Sequence, residues 1–200
     1  MKKVFCIGFH KTGTTSLGVA LESLGYKVCG VSHELLPSLR NNDMSEVISL
    51  VNSYDAFKDN PWPVLFKELD ALFPGSKFIL TSREENKWIN SAVNHFQRTS
   101  SDMRLYIYGK AYPVGNEEIF LARYRKHNAD VIEYFKNRPD DLLILNLGHE
   151  NPWVALCKFL NKPIPDRPFP VINKGAYSPL SRLIKQAPRI LKGLKRRLGI

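Results

Sequence analysis

Ten residues near the start of the chain, Gly8-Phe9-His10-Lys11-Thr12-Gly13-Thr14-Thr15-Ser16-Leu17, combine two glycines, one lysine and four hydroxyl side chains. That combination suits an anion. Glycines let a backbone wrap closely around a phosphate. A helix start offers unpaired N–H groups and the positive end of the helix dipole. The flanking sequence supplies both elements: the apolar run Val4-Phe5-Cys6-Ile7 predicts a strand, and the pattern from Thr14 to Leu24 predicts a helix. A second pair of anion-binding groups stands further along. Arg83 closes the apolar run Lys77–Ser82, and Ser91 follows eight residues later in a predicted helix. A guanidinium grips phosphate with a planar fork of donors, and a nearby hydroxyl completes the shell.

The ATP-binding loop pattern G-x-x-x-x-G-K-[ST] needs lysine directly after the second glycine, where this chain has Thr14. Lys11 instead precedes Gly13 by two residues and must approach a different part of the ligand. The second-strand candidate ends in Arg83, not in the metal-holding Asp of P-loop nucleotide triphosphatases. A P-loop kinase or triphosphatase is therefore the disfavoured enzyme alternative. A module that kept the cradle and lost catalysis is the non-enzymatic one.

Lys11-Thr12-Gly13-Thr14-Thr15-Ser16-Leu17 resembles the 5′-phosphosulfate loop of sulfotransferases that use 3′-phosphoadenosine 5′-phosphosulfate (PAPS), whose pattern is K-[ST]-G-T-T before a helix. Phe78-Ile79-Leu80-Thr81-Ser82-Arg83 with Trp88 and Ser91 is similar to that family's 3′-phosphate site. Asp55-Ala56-Phe57-Lys58-Asp59-Asn60-Pro61-Trp62, Phe66-Lys67-Glu68-Leu69 and Phe73-Pro74-Gly75-Ser76 most resemble a compact bacterial-type group within it. The resemblance implies transfer of a sulfuryl group from PAPS to a hydroxyl or amine, leaving 3′,5′-adenosine bisphosphate, with no metal required. It implies that Gly8, His10, Lys11, Thr12, Gly13, Thr14, Thr15 and Ser16 hold the phosphosulfate, and Arg83 and Ser91 the 3′-phosphate. Lys174 would be a further contact, from the segment Phe169–Gly175, where relatives fold a basic loop over the nucleotide. Lys11 would stabilise the leaving oxygen.

Transfer to a hydroxyl needs a base within hydrogen-bond reach of the acceptor proton. His33 and Glu34 follow the predicted strand Tyr26–Val31, and Asp59 follows Asp55–Phe57. All three lie at carboxyl ends of strands, where open α/β sheets bind ligands. Asp59 ranks first: by chain order it matches the segment in which cytosolic sulfotransferases carry a catalytic histidine. Glu34 stands where several other sulfotransferase groups place a carboxylate, so Glu34 and His33 stay open. Trp88 shares a helical face with Ala92 and Phe96 and reads as packing. His10 and His127 are expected to be solvated or locally hydrogen-bonded, and Asp55 to close a turn.

The elements that position these groups alternate. Strands at Val4–Ile7, Tyr26–Val31, Asp55–Phe57, Lys77–Ser82 and Leu142–Leu147 are separated by helices at Thr14–Leu24, Met44–Val51, Pro63–Leu72, Glu84–Gln97 and Glu117–Lys136, and a last helix spans Asn151–Leu160. This predicts an α/β fold, a three-layer α/β/α sandwich around a parallel sheet of about five strands, of P-loop nucleotide-kinase-like type. Arg98–Gly115 reads as irregular and as an acceptor lid, its Tyr106, Tyr108 and Tyr112 either stacking on a sugar or phenol or buried. The acceptor class left open is a small molecule, sugar or lipid.

Two hundred residues, 44% of them apolar, suit one domain, expected over 1–177. No run of 18 apolar residues and no signal-type h-region is present, and the three cysteines read as core residues in a reducing compartment, so a cytoplasmic protein is expected. The net charge of +10 does not mark a nucleic-acid partner: seven of those charges stand in Ser178–Ile200, which holds no acid. That segment, 178–200, alternates leucines with cations as a basic amphipathic helix. It fits either peripheral contact with an anionic membrane surface or docking on the domain with its cations solvated.

Overall fold

The computed structural model describes residues 2–148 and 151–172, and Met1–Pro170 form one compact unit. Five strands, β1 (Val4–Cys6), β2 (Val28–Cys29), β3 (Ala56–Phe57), β4 (Lys77–Thr81) and β5 (Leu142–Leu145), pair in the order β2-β3-β1-β4-β5. Every pairing is parallel. The helices are α1 (Thr14–Ser23), α2 (Leu36–Arg40), α3 (Ser45–Asn52), α4 (Phe66–Leu72), α5 (Glu85–Phe96), α6 (Asp102–Tyr108), α7 (Glu117–Phe135) and α8 (Pro152–Leu160).

The strands alternate side chains between two faces, and each face builds its own core. Phe5, Phe57, Phe78 and Leu80 face α3, α4 and α7, where Val47, Leu69, Val131 and Phe135 are buried. Val4, Cys6, Ala56 and Ile79 face α1 and α8, against Leu17, Leu21, Trp153 and Leu156. Helix on sheet on helix is the expected three-layer α/β/α sandwich. A third apolar cluster lies beyond the carboxyl edge of the sheet, where Phe9 meets Leu36 of α2, Trp88 of α5, Met103, Ile107 and Tyr108 of α6, and Phe120 and Tyr124 of α7.

Several boundaries differ from the sequence expectation. β2 keeps only two of the six residues expected, its start tied to β3 by Lys27 N–H donating to Asp55 Oδ2 at 3.0 Å. The stretch Arg98–Gly115 is not irregular, because it contains α6. Ser101 caps that helix by accepting from Arg104 N–H, and Gly109 ends it in the left-handed region at φ 70°. The Arg104 guanidinium donates to the carbonyls of Thr99 and Ala111 and so ties both ends of the segment together. Tyr108 is buried and stacks on Phe120 with ring centroids 4.1 Å apart, whereas Tyr106 is exposed. The expected cysteine placements hold: Cys6, Cys29 and Cys157 are buried free thiols.

Gly8 has a packing reason to be glycine. A Cβ there would lie 2.1 Å from Thr81 Oγ1, 2.3 Å from Thr81 O and 2.7 Å from Thr81 N, so the chain leaving β1 is pressed against the end of β4. Backbone cannot yield as a flexible side chain can. Gly8→Ala is expected to cost about 2–3 kcal/mol and to lower Tm by roughly 5–10 °C. A thermal melt within 1 °C of the unaltered chain, on the order of measurement error, would remove this constraint.

Candidate functional site

The carboxyl ends of β1, β3 and β4 lie side by side, and the loop after β1 crosses them before entering α1. Lys11 takes φ 67° and Gly13 φ 103°, so two left-handed residues fold the loop back on itself. The lysine carries strain that a glycine would not. Three buried contacts hold the turn. Thr12 Oγ1 donates to Phe9 O at 2.6 Å and lies 2.6 Å from Thr81 Oγ1, and Trp88 Nε1 donates to His10 O at 2.8 Å. Gly13 is the N-cap of α1, with no side-chain cap and no acid in the first turn. The positive end of the helix therefore faces the loop with no acid in its own first turn.

Arg83 follows β4. The Tyr124 hydroxyl accepts from its N–H and donates to its carbonyl, both at 2.9 Å, which fixes the backbone. The exposed guanidinium donates from Nη1 to Lys11 O at 3.2 Å. Ser91 lies on the buried face of α5.

Asp59 follows β3, buried and in the left-handed region at φ 64°. Its Oδ1 accepts from Thr14 Oγ1 at 2.7 Å, and its Oδ2 accepts from Lys58 Nζ at 2.8 Å. The carboxylate is thus hydrogen-bonded to the first residue of α1. Lys58 was missed by sequence reasoning. A lysine beside an aspartate at a strand end reads as an ordinary charge pair, and only the fold brings it against α1.

His33 and Glu34 form a short 3₁₀ turn after β2, and both are exposed. Ser32 N–H donates to Asn60 O at 3.0 Å, which joins this turn to the segment carrying Asp59. His33 also lines an open groove of about 460 Å³ with Leu36, Ser100, Ser101, Asp102 and Met103. The structure therefore brings Asp59 to the loop through Thr14 and brings His33 to a groove beside α6.

Some expectations need correction. Thr12 turns its hydroxyl inward to Phe9 and Thr81, so its side chain shapes the loop. Of the two readings for His10 and His127, local hydrogen bonding holds and solvation does not. Asn60 Nδ2 lies 3.5 Å from His10 Nδ1 and Tyr108 OH 3.4 Å from Nε2, while Trp88 and Phe96 flank the ring. His127 Nε2 donates to Ile7 O at 2.7 Å, across the sheet edge. Burial pushes His10 down to about 3 and His127 to about 4, so both are neutral at pH 7. The helical register of α7 could have revealed His127: it falls in line with Phe120, Tyr124 and Val131. Trp88 packs as expected, 4.3 Å from the Tyr124 ring. Lys174 and the segment 178–200 lie outside the described residues.

A family profile described as "Sulfotransferase domain" matches residues 3–114 and 94–177. The chain belongs to the sulfotransferase family. It is also 25% identical over 216 residues to "Ava biosynthesis cluster protein M" of Aspergillus versicolor, a match covering 85% of this chain and 80% of that protein. Family membership makes this a transferase of sulfotransferase type. Among the described residues of the sulfotransferase, no helix is long and apolar enough to cross a membrane, and no group of three His, Cys, Asp or Glu side chains could hold a metal ion.

The two buried neutral histidines set a pH dependence. Their unfolded values lie near 6.5 and their folded values near 3 and 4. The unfolded chain binds more protons between those limits, so stability is complete above about pH 6.5 and falls as pH drops toward 4. Tm measured from pH 7.5 to 4.5 should fall, and His127→Gln should flatten part of that slope. An unchanged slope would mean that His127 does not carry it.

Proposed function

We propose that this sulfotransferase moves the sulfuryl group from PAPS to a hydroxyl or amine of a small-molecule, sugar or lipid acceptor. The observation that carries the reading is the hydrogen bond from Thr14 to Asp59, which places a carboxylate against the phosphate-binding loop. The donor set fits the cofactor: a helix start with no side-chain cap and no acid in its own first turn, Lys11 on the loop, and Arg83 with its backbone fixed and its guanidinium exposed. One anion cluster suits the 5′-phosphosulfate and the other the 3′-phosphate, with Ser91 assigned to the latter by family resemblance.

When bound, PAPS supplies an electrophilic sulfur attached to a phosphate oxygen that can leave. The N–H groups of α1 and the Lys11 ammonium stabilise the negative charge that grows on that oxygen as its bond to sulfur breaks. Asp59 takes the proton from the acceptor oxygen as the new oxygen–sulfur bond forms. Thr14 has a single hydroxyl proton. Giving it to a donor oxygen releases Asp59 Oδ1, so occupation of the loop and readiness of the base are linked. The groove between the 33–36 turn and α6 is the acceptor side of this arrangement, and its His33, Ser100, Ser101 and Asp102 favour a hydroxyl-bearing acceptor over a bare hydrocarbon.

If this reading holds, 3′,5′-adenosine bisphosphate raises Tm and Mg-ATP does not; the reverse ranking points to a kinase. Radiolabelled PAPS incubated with a panel of sugars, phenols and lipids identifies the acceptor. Asp59→Asn should cut sulfuryl transfer by about 100-fold or more and leave bisphosphate binding nearly intact, and full activity would move the role of base to Glu34 or His33. Lys11→Ala should lower the rate by about 100-fold with a smaller effect on bisphosphate affinity. An unchanged rate would end its role at the leaving oxygen.

A further inference from the structure

Gly18 stands in the middle of α1, buried, where glycine destabilises a helix relative to alanine. No positive φ is recorded for it, so its backbone does not demand glycine. The demand comes from a neighbour. A Cβ on Gly18 would lie 2.7 Å from both Cδ and Cε of Lys58, so the lysine stem runs directly across the helix at that point. Its ammonium then comes within 3.8 Å of where a Cβ on Gly30 would be, and donates to Asp59 Oδ2 at 2.8 Å. Lys58 is only partly exposed, with a side-chain accessibility of 19%, and Asp59 less so at 11%. The pair is therefore shielded from the solvent screening that weakens surface ion pairs.

Lys58 is thus a cation that holds this carboxylate, by an ion pair of 2.8 Å to its Oδ2. The stem lies in a slot between α1 and the ends of β2 and β3. From that slot the ammonium reaches one oxygen of Asp59, while Thr14 reaches the other. Two donors from opposite sides determine the plane of the carboxylate. With Thr14 turned to a ligand, Lys58 would be the remaining anchor.

We propose that Lys58 is a positioning residue for the transfer reaction, threaded across α1 through a slot that Gly18 keeps open, and that it orients Asp59 toward the acceptor proton. This rests on Asp59 being the base. Lys58 is assigned no contact with the reacting atoms; it acts through the aspartate.

Gly18→Ala tests this without altering any charge. The clash falls on the flexible stem of Lys58 and not on backbone, and alanine favours the helix, so the variant should melt at or above the Tm of the unaltered chain. Hydrolysis of PAPS, with water standing in for the acceptor, supplies the activity readout. Turnover in Gly18→Ala should fall by about 10-fold or more, while the PAPS concentration for half-maximal rate stays within about 3-fold. Lys58→Met should show the same split. The double variant should be no slower than Lys58→Met alone, because residues acting through one contact are not additive.

Wild-type turnover in Gly18→Ala, an effect on half-saturation instead of turnover, or multiplying effects in the double variant would each overturn the role of Lys58 while leaving the sulfotransferase reading in place. An unaltered chain that neither gains Tm with 3′,5′-adenosine bisphosphate nor moves sulfuryl from PAPS to water or to any acceptor of the panel overturns the proposal together with the function on which it rests.

Discussion

The hydrogen bond between Thr14 and Asp59 ties together the two segments on which the site depends. One is the loop that leaves the central strand β1 and turns into α1. The other is the short connection that leaves β3 beside it. Neither segment is regular, and both put a non-glycine residue in the left-handed region, Lys11 and Asp59. Such residues persist only where their surroundings over-determine them. Here the surroundings are specific: Thr12 and Trp88 hold the loop, and Thr14 and Lys58 hold the aspartate. Two of the five described non-glycine residues with positive φ are thus candidate catalytic side chains, and the hydrogen bonds around them explain how they hold that conformation.

The three apolar clusters divide the labour of support. The two sheet faces fix the strands, and parallel pairing in the order β2-β3-β1-β4-β5 puts the ends of β3, β1 and β4 in adjacent positions. The third cluster does something different. Phe9, inside the loop after β1, is fully buried among α2, α5, α6 and α7. The loop is therefore not a flap on the surface, because its own second residue is a core residue of the cap. His10 extends the same link toward Tyr108 of α6 and Asn60 beside Asp59, so the loop after β1, the segment after β3 and α6 share one buried neutral imidazole. Charging that ring inside the cap would cost desolvation, which is why its depressed basicity accompanies its structural role.

The architecture was legible because its signals are long-range regularities. Five apolar runs alternating with helical patterns lead to a parallel sheet whatever the exact boundaries, and Lys11, Thr14, Thr15, Arg83 and Ser91 stand out by type and spacing. What escaped were features decided by neighbours distant in sequence. Gly8 reads as a phosphate-loop glycine, yet its contact is with Thr81, 73 residues away. Thr12 reads as a ligand contact until Thr81 claims its hydroxyl. His127 follows a charged run, although the register puts it on the face of Phe120, Tyr124 and Val131, and its ring reaches the carbonyl after β1. The helix α6 was hidden for a local reason: seven residues give too short a periodic signal, though Ser101 as cap and Gly109 as stop were both there to be read.

Lys58 shows the same limit from the side of chemistry. Adjacent in sequence to Asp59, it would on a flat strand point to the opposite face, since successive side chains alternate. The left-handed turn at Asp59 breaks that alternation and lets both side chains meet. The glycine at the fifth position of α1 then becomes intelligible: it is the gap through which the lysine passes. Strain at Asp59, the ion pair and the unfavourable glycine are thus one arrangement. Each alone costs stability, and together they leave a buried carboxylate held by two donors at the mouth of an anion cradle. Helix propensity would favour alanine at position 18, and a fold serving stability alone would have no use for the slot through which Lys58 reaches Asp59; on the proposed role of Asp59 as base, the slot serves to keep its carboxylate in a fixed plane.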